Sequence, residues 1–589
     1  MTTGSVATGP DGAGSGRAAG PVTTATPATG APGGETPRRR QRLVAGARRH
    51  WLFGLLFTVG GGLRLLLLYA YRPAFEFSGD SYAYLTLARM HQPDPMRPAG
   101  YPTLLGLLAH TDRLAVVPLV QHLAGLGIGV ALYALLLRRR IHPAVAALAA
   151  APVLLDAYQL DIEHFVMAET LFLALLVGAL VALLWSPRPA PLACAAAGGL
   201  LAAAGLTRTL GVALGVLALG YLAIRRLGWL RLAAFALLFA APLAAYASWY
   251  HSYHGQYALS GGDDAWLYGR VAPIADCAQL SLSPEQRILC SPHPPRDRPG
   301  PNYYVWADTS PRFQLTGTED HRNELLGDFA RQVIRHQPLD YARMVLAEVG
   351  HYFVPGRHTG YRDWPDGAWR FPDADTPHYF HISEPLLDFQ EGHPARVVHE
   401  PAAGLLRGYQ GFAYTPGPLL AVLVVLALTA VGLGLPRPRR PWPRQLWPRR
   451  PAAVDPPAET ATDPPADAAA GAPADGRADA AVSMDARGTP PDPAPAGQAA
   501  GARSRGRWPR RAGRLARPAI QEPVLAERRR LGADCALLVA LGLAVLVVPS
   551  ATVCFDYRYM LPVLVLFPPA AALATRQFRL SDHGRAARR

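Results

Sequence analysis

The sequence predicts an α-helical polytopic membrane protein of about ten transmembrane helices, with an α-rich or mixed extracytoplasmic domain and disordered cytoplasmic segments. Three observations predict this. Half of the 589 residues are hydrophobic and only 17% are charged, against roughly 25% in an ordinary soluble domain. Mean hydropathy is slightly positive although two long stretches are plainly polar, so apolar residues must be concentrated elsewhere. Arginine clusters recur beside the apolar runs, and ten spans place every such cluster on one side, as the positive-inside rule requires.

Composition also excludes function classes. All 58 basic residues are arginine. Without lysine there is no P-loop lysine and no Schiff-base lysine, which rules out ordinary Walker NTPases and pyridoxal enzymes. The net charge of +15 does not indicate nucleic acid, because the arginines lie beside spans and in one Pro/Ala-rich segment, where they set topology.

The elements follow in order. Residues 1–50 read as a disordered, basic cytoplasmic N-terminus, Gly/Ala/Thr/Pro-rich to about 37. The apolar run Trp51 to Tyr71 starts too far from Met1 and is too long for a cleavable signal peptide, so it is an uncleaved first helix. Further spans fall at about 114–137, 143–155, 169–185, 190–206, 209–224 and 230–249, completing an N-terminal transmembrane region over 51–249. Several of these are shorter than the ~20 residues a perpendicular helix needs, so the count carries an error of one or two. Residues 250–416 are rich in Trp, Tyr and His and read as a folded extracytoplasmic domain. A helix at 417–435 follows, then a disordered cytoplasmic linker at 436–530, read as a spacer or a docking segment. Two C-terminal helices over 531–575 precede a basic tail, 576–589. Both termini are then cytoplasmic and the chain is a multi-pass protein of the plasma membrane.

Cys277 and Cys290 lie in the 250–416 region, where an oxidising compartment would join them in a disulfide. Zinc with nearby His293 is the rival, although the spacing fits no usual zinc pattern. Cys194, Cys535 and Cys554 sit in or beside spans as small apolar packers.

The loop after the first span carries the most chemistry. From Ser81 to Met90 it fits a helix that Ser78 or Asp80 could cap, followed by Arg97-Pro98-Ala99-Gly100-Tyr101-Pro102. Asp80, Tyr84, Ala88 and Gly100-Tyr101-Pro102 resemble the first extracytoplasmic loop of the GT-C superfamily of membrane glycosyltransferases. The likeness is to the bacterial branch related to protein O-mannosyltransferases and the aminoarabinose transferase of lipid A. Glu163 to Phe172, with Glu169 ahead of Leu171-Phe172, resembles that family's loop between spans three and four. Gly205-Leu206-Thr207-Arg208-Thr209 resembles its Leu-Thr-Arg-Pro turn, with Thr209 where proline is common. Arg558-Tyr559-Met560-Leu561-Pro562 resembles its late Arg-Tyr-x-x-Pro motif. The resemblance covers about 50–250 and 530–575 and leaves 250–416 outside.

It implies transfer of a sugar from a polyprenyl-phosphate-linked donor to an extracytoplasmic acceptor: a protein, a lipid or a wall polymer. Such a reaction needs a base for the acceptor hydroxyl and positive charge for the departing phosphate. Asp80 is the candidate base, with Glu76 or Glu169 next. Arg97, Arg208 and Arg558 are candidate phosphate ligands, because guanidinium binds phosphate bidentately and all three sit on the outer side, against the positive-inside trend. Tyr84, Tyr101, Glu169 and Tyr559 join them as candidate substrate contacts. Asp156, Asp161, Glu163 and Glu169 could hold a divalent metal, magnesium or manganese, beside the phosphate, although their spacing defines no ligand set. The alternatives are a transporter or flippase of lipid-linked saccharides and a non-catalytic scaffold of the same fold. A transporter would carry ionisable residues near mid-membrane and an internal repeat, whereas the polar residues of these spans read as lying at their ends.

Overall fold

The computed structural model describes residues 35–77, 79–90, 92–357, 369–373, 397–435 and 521–586. They belong to one compact unit, Met1–Leu435 with Glu522–Arg589; a second unit, Pro436–Gln521, lies outside the described residues apart from Gln521. The N-terminal stretch 1–34, linker residues 436–520 and Ser78 are likewise outside them.

The described chain is mostly helical. Helix α1 covers Glu35–Ala70, so the helix begins well before Trp51. Short helices α2 (Asp80–Leu87) and α3 (Gly100–Ala109) precede α4 (Val116–Arg138), α5 (Pro143–Leu155) and α6 (Ala157–His164). Then come α7 (Glu169–Leu184), α8 (Pro191–Thr207), α9 (Leu210–Ile224) and α10 (Trp229–His254). The intervening region holds α11 (Asp263–Val271), α12 (Pro301–Trp306), α13 (Glu319–His336), α14 (Pro338–His351) and α15 (Glu400–Gln410). Helices α16 (Gly417–Gly434), α17 (Gln521–Thr552) and α18 (Phe567–Ala586) complete the chain. Helix α17 starts ten residues ahead of the predicted linker boundary at 531. A two-stranded antiparallel pairing, Tyr71 opposite Val398 and Arg72 opposite Val397, ties the end of α1 to the entry of α15.

Each predicted span is helical, but the count of ten is not reached on length. Among the described residues six helices are long and apolar enough to cross a membrane, seven if the bent pair α5–α6 is one span. Helices α7, α8 and α9 have 16, 17 and 15 residues. At about 1.5 Å per residue they fall short of a ~30 Å hydrocarbon core. The 46° break between α5 and α6 has a local cause. Asp156 is extended there, and its carboxylate accepts from the Tyr158 (2.9 Å), Gln159 (3.3 Å) and Thr415 (2.6 Å) amides. It caps α6 and pins the approach to α16.

The helix ends sort into two poles. At one, Asp534 is fully buried and pairs with Arg139 and with Arg225 (3.2 Å), while Arg576 pairs with Glu527. This gathers the ends of α4 and α9, the first half of α17 and the middle of α18. At the opposite ends of α9 and α17 lie Arg208, just before α9, and Thr552 with Arg558 beyond it, and Glu169 at the head of α7 joins them through its pair with Arg208.

The helical interior is not purely apolar. Arg64, in the middle of an apolar run, makes a bidentate pair with Glu163 (Nε to Oε2 and Nη2 to Oε1, both 2.8 Å) and donates to the Leu154 and Val153 carbonyls (2.8 and 3.0 Å). His122 lies 2.9 Å from Glu163 and 3.2 Å from His164. Gly125 permits this: a Cβ there would sit 2.0 Å from the Glu163 carboxylate. The expectation that polar residues lie at span ends is therefore corrected.

The 250–416 region, where described, joins helices with loops and the Val397–Val398 strand, and has its own core, built from Tyr268, Tyr304, Leu326, Phe329 and Val333 on α11, α12 and α13. Cys277 and Cys290 are disulfide-bonded beside it, which removes the zinc alternative. Tyr341 and Tyr352 donate to the Ala551 and Asp556 carbonyls (2.8 and 2.9 Å), fixing α14 to the end of α17.

Candidate functional site

The site starts from how α2 is held. The Phe75 amide donates to the His164 carbonyl (3.0 Å) and the Val166 amide to the Phe75 carbonyl (2.9 Å). Ser81 Oγ then donates to the Val166 carbonyl (2.9 Å) and accepts from the Phe77 amide (2.8 Å). The buried Arg64–Glu163–His122–His164 chain thus braces the segment from which α2 springs. Gly79 occupies the N-cap of α2 with no side-chain cap, and Asp80 is the first helical residue. Asp80 is not spent as a cap.

Its carboxylate is instead held between two arginines. Arg97 donates to Oδ1 through Nη2 (2.9 Å) and Nε (3.2 Å), and Arg558 donates to Oδ2 through Nη1 (2.7 Å). Burial works to raise the Asp80 carboxyl, but the Arg558 and Arg97 guanidiniums outweigh it and hold it at about 2, below its ordinary 3.8. Arg558 also pairs with Asp556 at 3.0 Å. Arg208 pairs with Glu169, and the guanidiniums of Arg208 and Arg558 lie 5.2 and 5.4 Å from the centre of the Tyr559 ring, within cation–π range.

These groups surround a single cavity of about 190 Å³. Asp80, Tyr84, Arg97, Glu169, Arg208, Arg558 and Tyr559 all line it, although they come from five separate stretches of the chain. Three guanidiniums face one small volume, each matched by a carboxylate: Arg97 and Arg558 by Asp80, Arg208 by Glu169. An anion entering it could take over bonds that the carboxylates now hold.

Tyr101 stands apart. It is fully buried, its hydroxyl donates to Gln121 Oε1 (3.0 Å), and its ring packs edge-on against Tyr84 at 5.0 Å. It supports Tyr84 and does not line the cavity. The four carboxylates considered for a metal also separate. Asp156 caps α6, Glu163 pairs with Arg64 and Glu169 with Arg208. Asp161 is fully buried, with neither carboxylate oxygen hydrogen-bonded. Among the described residues no three His, Cys, Asp or Glu side chains gather as a metal site. Glu76 is buried outside the cavity.

Sequence reasoning missed one wall. Ser260, Gly262, Asp263, Trp266 and Trp306 close the cavity from the 250–416 region. That region has no motif to flag, and the available signal was its density of tryptophan near the acidic pair Asp263-Asp264. Comparisons of the chain with protein-family models, with curated proteins and with solved structures find no match.

Proposed function

We propose that the chain is an integral membrane glycosyltransferase of GT-C type, moving a sugar from a polyprenyl-phosphate donor to an acceptor outside the cytoplasm. The observation that supports it is convergence: the acidic residue and three arginines picked out for this chemistry line one cavity, at helix ends opposite the arginine-rich pole. In this reading the arginine-rich pole is cytoplasmic, as are both termini, and the membrane is the plasma membrane.

The acceptor hydroxyl attacks the anomeric carbon. The bond from that carbon to the phosphate oxygen breaks, and the electron pair leaves with polyprenyl phosphate. The hydroxyl proton passes to Asp80. A carboxylate held at about 2 is a poor base, because a base works best near the operating pH. The donor phosphate resolves this: it draws Arg97 and Arg558 toward itself, and Asp80 becomes more basic as the arginines turn away. Arg208 and Arg558 then stabilise the departing phosphate.

The test is Asp80→Asn in the purified, membrane-reconstituted protein, assayed with radiolabelled polyprenyl-phosphate sugars. Transfer or donor hydrolysis by the native chain, lost in the folded variant, is expected. Undiminished turnover in the variant refutes Asp80 as base. Failure of the native chain to bind any such donor refutes the reading.

One observation favours a second reading, translocation of lipid-linked saccharide: the ionisable chain Arg64–Glu163–His122–His164 is buried among the helices, where such groups often mark transport pathways. Scrambling of a fluorescent polyprenyl-phosphate sugar across liposomes, lost in His122→Ala, would support it.

A further inference from the structure

The cavity has two chemically different sides. The arginines face it from α8, the Arg97 loop and the stretch after α17. Another part of the lining is aromatic. Trp266 of α11 and Trp306 at the end of α12 meet edge to face, ring centres 5.6 Å apart and planes at 78°. Trp306 remains 42% exposed, so part of its ring is open to a ligand in the cavity it lines. Asp263, in the first turn of α11, lines the same wall, and its side chain makes no hydrogen bond or ion pair among the described residues. Asp263 is itself exposed, so its carboxylate is open to a ligand.

The wall is fixed relative to the arginines. The Gly261 amide donates to the Pro95 carbonyl (2.6 Å), and Tyr250 donates to the same carbonyl (3.3 Å). Two residues on is Arg97, whose guanidinium holds Asp80. The loop that carries a phosphate candidate is thus tied to the loop that starts α11.

We propose that this wall is the sugar subsite: the ring of the transferred sugar lies against Trp266 and Trp306, and Asp263 accepts hydrogen bonds from its hydroxyls. This rests on the reading of the cavity as a polyprenyl-phosphate-sugar site and adds to it which part of the chain selects the sugar. An indole offers an apolar face to the C–H side of a sugar ring, and a carboxylate is a strong acceptor for ring hydroxyls. At about 190 Å³ the cavity is below the roughly 300–1,000 Å³ of drug-sized sites. It fits a single sugar ring, not an oligosaccharide.

The experiment compares binding of polyprenyl-phosphate mannose, glucose and arabinose with binding of sugar-free polyprenyl phosphate, using the full chain in nanodiscs. Trp266→Ala and Trp306→Ala should weaken the preferred sugar-linked probe at least tenfold and leave sugar-free polyprenyl phosphate within twofold. Trp266→Phe should recover part of the loss and guards against a folding defect, checked by melting temperature. Asp263→Asn should change the ranking of the three sugars. Arg208→Ala should weaken all four probes alike. If the tryptophan variants weaken sugar-linked and sugar-free probes equally, or neither, the subsite is refuted while the phosphate site stands. If the native chain binds none of the four, the underlying reading fails and the subsite falls with it.

Discussion

Asp80→Asn should abolish turnover and yet tighten binding of polyprenyl phosphate. In the free protein the Asp80 carboxylate competes with any incoming phosphate for Arg97 and Arg558, which it engages at 2.9 and 2.7 Å. The strength of that competition can be read from its titration. The Arg558 and Arg97 guanidiniums hold the carboxyl at about 2 instead of its ordinary 3.8, a difference worth roughly 2 kcal/mol. Because the Asp80 side chain is 20% exposed, solvent screening reduces the usable part to about 1–2 kcal/mol. Asparagine keeps the shape and one acceptor oxygen but no charge, so most of this is released to the phosphate. The expected gain in affinity is roughly 5- to 30-fold at pH 7 and low salt, shrinking at high salt as the charges are screened. Turnover should fall by about 10²–10⁴ on loss of the base. Displacement of a fluorescent polyprenyl phosphate from nanodisc-held protein measures the first, and radiolabelled sugar transfer the second. Weaker phosphate binding by a folded Asp80→Asn variant would refute the competition and, with it, the account of how a carboxylate so strongly paired becomes a base.

Three further outcomes follow from named contacts. Arg208→Lys keeps the charge but loses the planar fork that faces Glu169 and Tyr559, so kcat/KM should fall about tenfold or more in the transfer assay. Glu163→Gln leaves Arg64 buried without its bidentate partner; a loss of about 3–5 kcal/mol should appear as lower expression and a reduced melting temperature. Cys277→Ser opens the disulfide that closes a loop of sequence separation 13. A loss of about 3 kcal/mol in the 250–416 region should appear as faster limited proteolysis there, with the same result on reducing the native chain.

How far the molecule could be read without coordinates depends on the range over which each signal acts. Hydropathy is local, so every apolar run became a helix, with the ends of α4, α5, α7, α8 and α9 within a residue or two of expectation. Whether a helix crosses depends on its length and neighbours, and α7, α8 and α9 are too short to decide from composition. Asp80, Arg208 and Arg558 stood out because each breaks a local expectation: a carboxylate just after a span, or arginine on the side that positive charge avoids. What stayed hidden was the pairing. Arg558 is 478 residues from Asp80, and no pattern along the chain reports such a contact. Arg64 shows the same limit from the other direction. An arginine inside Trp51–Tyr71 demands a buried partner, because its isolated charge is costly in a membrane, but the partner, Glu163, lies 99 residues away and in the sequence reads as a possible metal ligand. Tyr101 failed for a different reason: a recognised turn locates a residue without fixing where its side chain points, and packing turned this one inward toward Gln121. The wall of Asp263, Trp266 and Trp306 was least legible, because it reaches the cavity only through contacts such as Gly261 to Pro95 that join two loops far apart in sequence. On the proposed reading, chemistry at the arginines is written in short motifs and selectivity at the tryptophans in tertiary packing, so changes to sugar preference should come from 250–416 with the arginine motifs left intact.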